Sequence, residues 1–88
     1  MSDVPPQWHM YVVECDDGSF YCGITTDLQR RLNEHNTSAR GAKYTRTRRP
    51  VKLIYSEPHP DRSSASSAEA FFKRLSRIQK VDRIRGGA

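Results

Sequence analysis

Tyr21-Cys22-Gly23-Ile24-Thr25-Thr26-Asp27-Leu28-Gln29-Arg30-Arg31-Leu32-Asn33-Glu34-His35 is the stretch where the periodicity of this chain changes. Phe20, Cys22 and Ile24 alternate with Tyr21, Gly23 and Thr25, the period of two that marks a half-buried strand. Asp27 is a good N-cap. Leu28 and Leu32 then stand four apart, so a helix from Leu28 to Asn36 can lay a narrow apolar stripe on the sheet. At about 100° per residue, Arg31 and His35 flank that stripe on one side. Tyr21, Arg31 and His35 can therefore converge above one sheet face.

Upstream, Trp8, Met10 and Val12 alternate with His9, Tyr11 and Val13 in a first strand. Asp16-Asp17-Gly18 reads as a three-residue hairpin loop with Gly18 in the left-handed conformation. Cys15 then opposes Ser19, Val13 faces Tyr21, and Tyr11 faces Gly23, which brings both tyrosines out on the same side. Loops one residue shorter or longer would mix the apolar set between faces. The same register places Cys15 and Cys22 on opposite faces, against a disulfide. Gly23 leaves room beside Tyr11 for a phosphate.

Downstream, Thr37 to Pro50 carries Arg40, Lys43, Arg46, Arg48 and Arg49 without an acid and reads as an irregular basic loop with a helical turn near Lys43. Lys43 and Tyr44 suit contact with a polyanion better than catalysis. Val51 to Ser56 is a third strand, closed by Pro58 and Pro60. A helix opening at Ser63 to Ser67 carries the stripe Ala65, Ala68, Phe72 and Leu75, with Phe71 counted in the same core group and Glu69 at the stripe's border. Ser76 and Gln79 form a capping box for a last helix with Ile78, Val81 and Ile84, before Gly86-Gly87.

The chain has 88 residues, enough for one domain over 8–85 behind a frayed lead-in at 1–7. A chain this short buries only about 60 to 65% of its unfolded surface. The apolar runs are too short for a membrane span and no signal-peptide pattern is present, so a cytoplasmic protein with no membrane partner is expected. A formal charge of +5 and a pI near 9.6 point to a polyanion, with nucleic acid ahead of membrane. Two Cys and three His fit no zinc spacing.

Taken in order, these residues resemble the GIY-YIG nucleases, and specifically their short stand-alone bacterial members, the YhbQ-like proteins. Tyr11 stands for the tyrosine of the first half-motif and Tyr21-Cys22-Gly23 for the second. Arg31 and His35 follow at the family spacing, and Glu69 lies on the later helix. The Gly41-Ala42-Lys43 turn and the Arg49-Pro50-Val51-Lys52-Leu53-Ile54-Tyr55 entry to the third strand are similar too. The first half-motif reads His9-Met10-Tyr11, and Cys22 replaces the usual isoleucine; both are backbone or core places.

The resemblance implies a compact α/β (α+β) domain, a small three-stranded antiparallel sheet flanked by helices. It implies a metal-dependent endonuclease acting on DNA, single-stranded or branched forms included, in DNA repair, recombination or processing. Tyr11 is the first choice of general base, with Tyr21 orienting water or phosphate, Arg31 clamping phosphoryl oxygens and His35 assisting. Glu69 would hold a single Mg²⁺ or Mn²⁺. Gly23, Arg40, Lys43, Arg46, Arg48 and Arg49 would meet the substrate.

A phenol of pKa about 10 is ionised to only about one part in a thousand at neutral pH, so cationic neighbours must assist Tyr11. Each residue also has a plainer role: tyrosines packing on a sheet, Arg31 and His35 on a solvated helix face, Glu69 pairing with Lys73, a basic loop in water. Two rival functions stay open, a non-catalytic nucleic-acid-binding module and a nuclease subunit that needs a protein partner. The oligomeric state is open as well.

Overall fold

The computed structural model describes residues 7–86, so residues 1–6 of the expected lead-in and Gly87 lie outside the described residues. The elements run β1 (Trp8–Glu14), β2 (Phe20–Thr25), α1 (Leu28–Thr37), α2 (Lys43–Arg46), β3 (Lys52–His59), α3 (Arg62–Lys73) and α4 (Arg77–Gly86). They form the three-stranded antiparallel sheet with helices expected from the sequence, in the order β2-β1-β3. No helix among the described residues is long and apolar enough to cross a membrane.

β1 is central and is sealed on both faces: Met10, Tyr11, Val12 and Val13 are all buried. The hairpin has the expected register, Tyr11 opposite Gly23 and Val13 opposite Tyr21. It is closed by hydrogen bonds from Cys15 N–H to Ser19 O and from Gly18 N–H to Cys15 O, with Gly18 at φ +83. Only glycine takes that conformation cheaply. Cys15 and Cys22 are free thiols in different core clusters.

One face of the sheet holds Met10, Val12 and Cys22 beneath Phe72 of α3. The other holds Tyr11, Val13 and Cys15 with Val51, covered by Leu28 and Leu32 of α1. Asp27 caps α1 by accepting from Arg30 N–H, and Asp61 caps α3 by accepting from Ser64 N–H. Ser76 and Gln79 close the reciprocal box that opens α4. The Asn36 amide pairs with both backbone groups of Val51, at 2.8 and 2.9 Å, and ties the end of α1 to the entry of β3.

Three expectations change. β3 runs on through Pro58 to His59 instead of stopping at Ser56; it is an edge strand, where a residue lacking N–H is tolerated. A bulge between its pairings with Val12 and Val13 adds a residue at Ile54. Phe71 is half exposed, because adjacent helical positions point about 100° apart and Phe72 holds the inward one. Ile78 is likewise in solvent; α4 touches the core through Ile84.

Candidate active site

The hairpin and α1 bring four of the five expected catalytic residues together on the Tyr11 face. Tyr11 Oη lies 2.7 Å from His35 Nε2, a buried contact between β1 and α1. The Tyr21 ring stands edge-on to His35 at 5.3 Å between centroids, and Tyr44 of α2 stacks on Tyr21 at 6.1 Å. Arg31, one turn before His35, reaches Tyr11 closely enough for its charge to act on the phenol. Its Nη1 donates to Glu34 Oε1 at 2.9 Å and to the Arg40 carbonyl at 2.8 Å, which fixes the guanidinium.

Gly23 has a different use from the one expected. A Cβ built there would sit 2.6 Å from Tyr11 Oη and 2.8 Å from its Cζ. The space above Gly23 is filled by the tyrosine ring itself, so the glycine admits Tyr11 and leaves no phosphate pocket. Gly41 makes a similar close approach, to the Glu34 carbonyl and the His35 backbone, which lets the loop before α2 fold onto the end of α1.

Electrostatics run partly against the simple expectation of an activated phenol. Burial dominates and pushes Tyr11 up to about 12, with Arg31 pulling the other way. His35 is held down to about 4, first by burial and then by the Arg31 charge. Both are therefore neutral near pH 7. The pair is a neutral phenol beside a neutral imidazole, not a phenolate beside an imidazolium. Arg31 itself is raised: burial opposes its charge, but the bonds to Glu34 and Tyr11 outweigh it.

The basic loop divides into two groups. Arg40, Lys43 and Arg46 are exposed and make no ion pair among the described residues. Arg49, expected to meet substrate, instead donates to the carbonyls of His35 at 2.5 Å and Ser38 at 2.6 Å. Its charge satisfies the carbonyls at the end of α1, where a helix leaves acceptors unpaired. Arg48 stacks on the Tyr44 ring at 3.9 Å and pairs with Asp17 at 3.1 Å, with a third of its side chain still exposed.

Glu69 stands apart from the quartet. It lies on α3, against the opposite sheet face, with its carboxylate 3.4 Å from Lys73 Nζ, the plain ion pair that sequence spacing also allows. Its charge reaches β2, where it adds to the effect of burial in raising the Cys22 thiol to about 12. β2 is an edge strand, and a groove over its edge is lined by Tyr21 and Tyr44 from one side and by Phe72 and Lys73 from the other. No group of three or more His, Cys, Asp or Glu able to hold a metal occurs among the described residues. A single, mostly buried carboxylate suits a hard ion that keeps most of its waters, as Mg²⁺ does.

Thr45, Glu34 and Tyr44 join the site without having been assigned a catalytic role from sequence. Glu34 was visible in principle, three residues after Arg31 on the same helix face. Tyr44 suits polyanion contact from sequence alone, and its stack on Tyr21 needs the fold. Thr45, fully buried, has its Oγ1 3.0 Å from His35 Nδ1. It sits in a four-residue helix too short to show a pattern.

Residues 7–82 match the GIY-YIG catalytic domain. The chain is 55% identical over 75 residues to a UPF0213 protein of Desulfotalea psychrophila, covering 85% of this chain and 68% of that one. A solution NMR structure of a protein from E. faecalis is 47% identical, with a TM-score of 0.64 over 97% of this chain and 90% of that one. The solution NMR structure of a UPF0213 protein from Bacillus halodurans is 40% identical, with a TM-score of 0.58 over 90% of this chain and 83% of that one. With the catalytic-domain match spanning most of its length and relatives at 40 to 55% identity over most of the chain, the chain belongs to the GIY-YIG family.

Proposed function

We propose that the protein is a metal-dependent endonuclease that hydrolyses phosphodiester bonds in DNA, and that it serves DNA repair, recombination or DNA processing in the cytoplasm. The observation that carries this reading is the buried Tyr11 hydroxyl, set between His35 Nε2 and the Arg31 guanidinium. Hydrolysis needs a water deprotonated in line with the leaving oxygen and positive charge at the phosphoryl group.

With its pKa near 12, Tyr11 is ionised to only about one part in 100,000 at pH 7, so a standing phenolate is not the base. Tyr11 acts instead as a relay. The water proton moves to Tyr11 Oη as the phenol proton moves to His35 Nε2, and the new hydroxide attacks phosphorus. His35 then carries a charge that burial and Arg31 resist. A phosphate docked on Arg31 offsets that repulsion and raises the basicity of the imidazole. The relay is thereby tied to substrate binding.

Tyr21, half-buried and edge-on to His35, orients the water or a phosphoryl oxygen. Arg31, pre-set by Glu34 and the Arg40 carbonyl, clamps the phosphoryl group. Arg40, Lys43 and Arg46 hold the flanking backbone, with Arg48 and Tyr44 at the groove over the β2 edge. Glu69 is the residue that would hold one Mg²⁺ or Mn²⁺. When bound, such an ion supplies charge at the leaving 3'-oxygen. The products carry 5'-phosphate and 3'-hydroxyl ends.

One observation favours a second reading, a nucleic-acid-binding module that does not cut: Tyr11 is only 2% exposed. The two part in one experiment. Labelled single-stranded, duplex and branched DNA, with matching RNA, are incubated with the protein with and without Mg²⁺ or Mn²⁺. Metal-dependent cutting of DNA that is lost in Glu69→Ala supports the nuclease. Binding of every substrate without cutting supports the module.

A further inference from the structure

The protons around His35 can be counted. Arg31 only donates, so beside it the Tyr11 oxygen can serve as acceptor, and the phenol proton needs an acceptor elsewhere. The side-chain partner of that hydroxyl among the described residues is His35 Nε2, at 2.7 Å. In a neutral imidazole, a lone pair on Nε2 means the proton is on Nδ1. Nδ1–H then needs an acceptor of its own in a buried place. Thr45 Oγ1 lies 3.0 Å away, and the Thr45 hydroxyl proton points on to the Ala42 carbonyl at 2.9 Å.

Every proton in this chain has a receiver: Tyr11 O–H to Nε2, Nδ1–H to Thr45 Oγ1, Thr45 O–H to Ala42 O. The opposite tautomer would leave the Tyr11 proton facing a guanidinium and an N–H, a buried polar group unsatisfied. At Nδ1 it could accept from the Thr45 hydroxyl, turned away from the Ala42 carbonyl, and from the Ala42 N–H, 3.5 Å away at the outer limit of a hydrogen bond, but neither contact relieves the Tyr11 proton. Thr45 is fully buried, as is His35, so water does not compete for these contacts.

We propose that Thr45 is a positioning residue whose hydroxyl keeps the His35 proton on Nδ1 and so holds Nε2 open to receive the proton of Tyr11. The catalytic consequence rests on the nuclease reading, whereas the placement of the proton does not. In the transfer itself one proton passes from water to Tyr11 Oη and one from Tyr11 to Nε2. The Nδ1 proton stays in place, and the positive charge of the imidazolium is shared toward Thr45.

The test is nitrogen NMR of the intact, ¹⁵N-histidine-labelled protein near neutral pH, on wild type, Thr45→Ser and Thr45→Val. The expected result is a protonated Nδ1 and a bare Nε2 for His35 in wild type and in Thr45→Ser. Thr45→Val should shift His35 to a mixture or to the other tautomer. In single-turnover cleavage of DNA, Thr45→Val should fall roughly 10- to 100-fold with unchanged DNA affinity, as for loss of a partner that orients a functional histidine, and Thr45→Ser should recover most of it. A wild-type spectrum with the proton on Nε2 overturns the proposal even if Thr45→Val does not fold, and so does a folded Thr45→Val with unchanged nitrogen shifts. If the nitrogens behave as expected and wild type cuts no DNA, the proton placement stands and the nuclease reading fails.

Discussion

Tyr11 and His35 are 24 residues apart in sequence and meet at 2.7 Å in the core, between the central strand and the first helix. Burial weakens both as charged groups, so the proposed relay needs the two together. His35→Ala should therefore lower the single-turnover rate by roughly 100- to 10,000-fold, the usual worth of a general acid or base, while DNA binding is kept. Rate and binding measured on the same preparation check it; a loss of binding in step with rate would make His35 a structural residue.

Gly23→Ala should disable the site from a distance of one strand. The new methyl meets Tyr11 Oη at 2.6 Å and its Cζ at 2.8 Å, so the ring must move away from His35. Overpacking of this kind costs about 1–3 kcal/mol. In the Tyr11→Ala background the same glycine change should cost little, and a double-mutant cycle in urea reads the coupling.

The basic loop should separate by role. Arg40→Ala, Lys43→Ala and Arg46→Ala should leave stability unchanged and each reduce the log-log salt slope of duplex binding by about 1. Arg49→Ala should do the reverse and lose about 1–3 kcal/mol of stability, since its guanidinium serves the carbonyls of His35 and Ser38. Thermal melts and salt titrations distinguish them. A salt slope that drops only with Arg49 would contradict the assignment.

Acid should weaken the fold through His35. Its folded pKa of about 4 lies below the ordinary 6.5, first because it is buried, so the unfolded chain binds the extra proton in that window. Stability is fully present above about pH 6.5 and drains as pH falls toward 4, by up to about 3 kcal/mol. The depressed carboxyls of Asp17 and Glu57 act in a more acidic range, so urea midpoints between pH 7 and 5 isolate the histidine. A His35→Gln variant should flatten the slope there. An unchanged slope would place the acid sensitivity elsewhere.

The parts of this molecule legible in sequence are those set by local rules. Asp16-Asp17-Gly18 and the alternation on either side leave one hairpin register, and that register puts Tyr11 and Tyr21 on one face. Asp27, Leu28 and Leu32 define the helix that delivers Arg31 and His35. Residues whose role depends on a distant partner were not legible. Arg49 looks like its basic neighbours until the chain folds back on the end of α1. Phe71 and Phe72 are equal in composition, and only helix geometry says which turns inward. Thr45 carries no pattern, and its meaning comes from a histidine ten residues earlier.

The central claim is that the Tyr11 hydroxyl handles the proton of the attacking water. The most direct measurement is the single-turnover cleavage rate of Tyr11→Phe with Mg²⁺ or Mn²⁺, beside its DNA affinity and melting temperature. The account predicts a loss of at least about 100-fold in rate with affinity and fold retained. A Tyr11→Phe protein that cuts at the wild-type rate would contradict it.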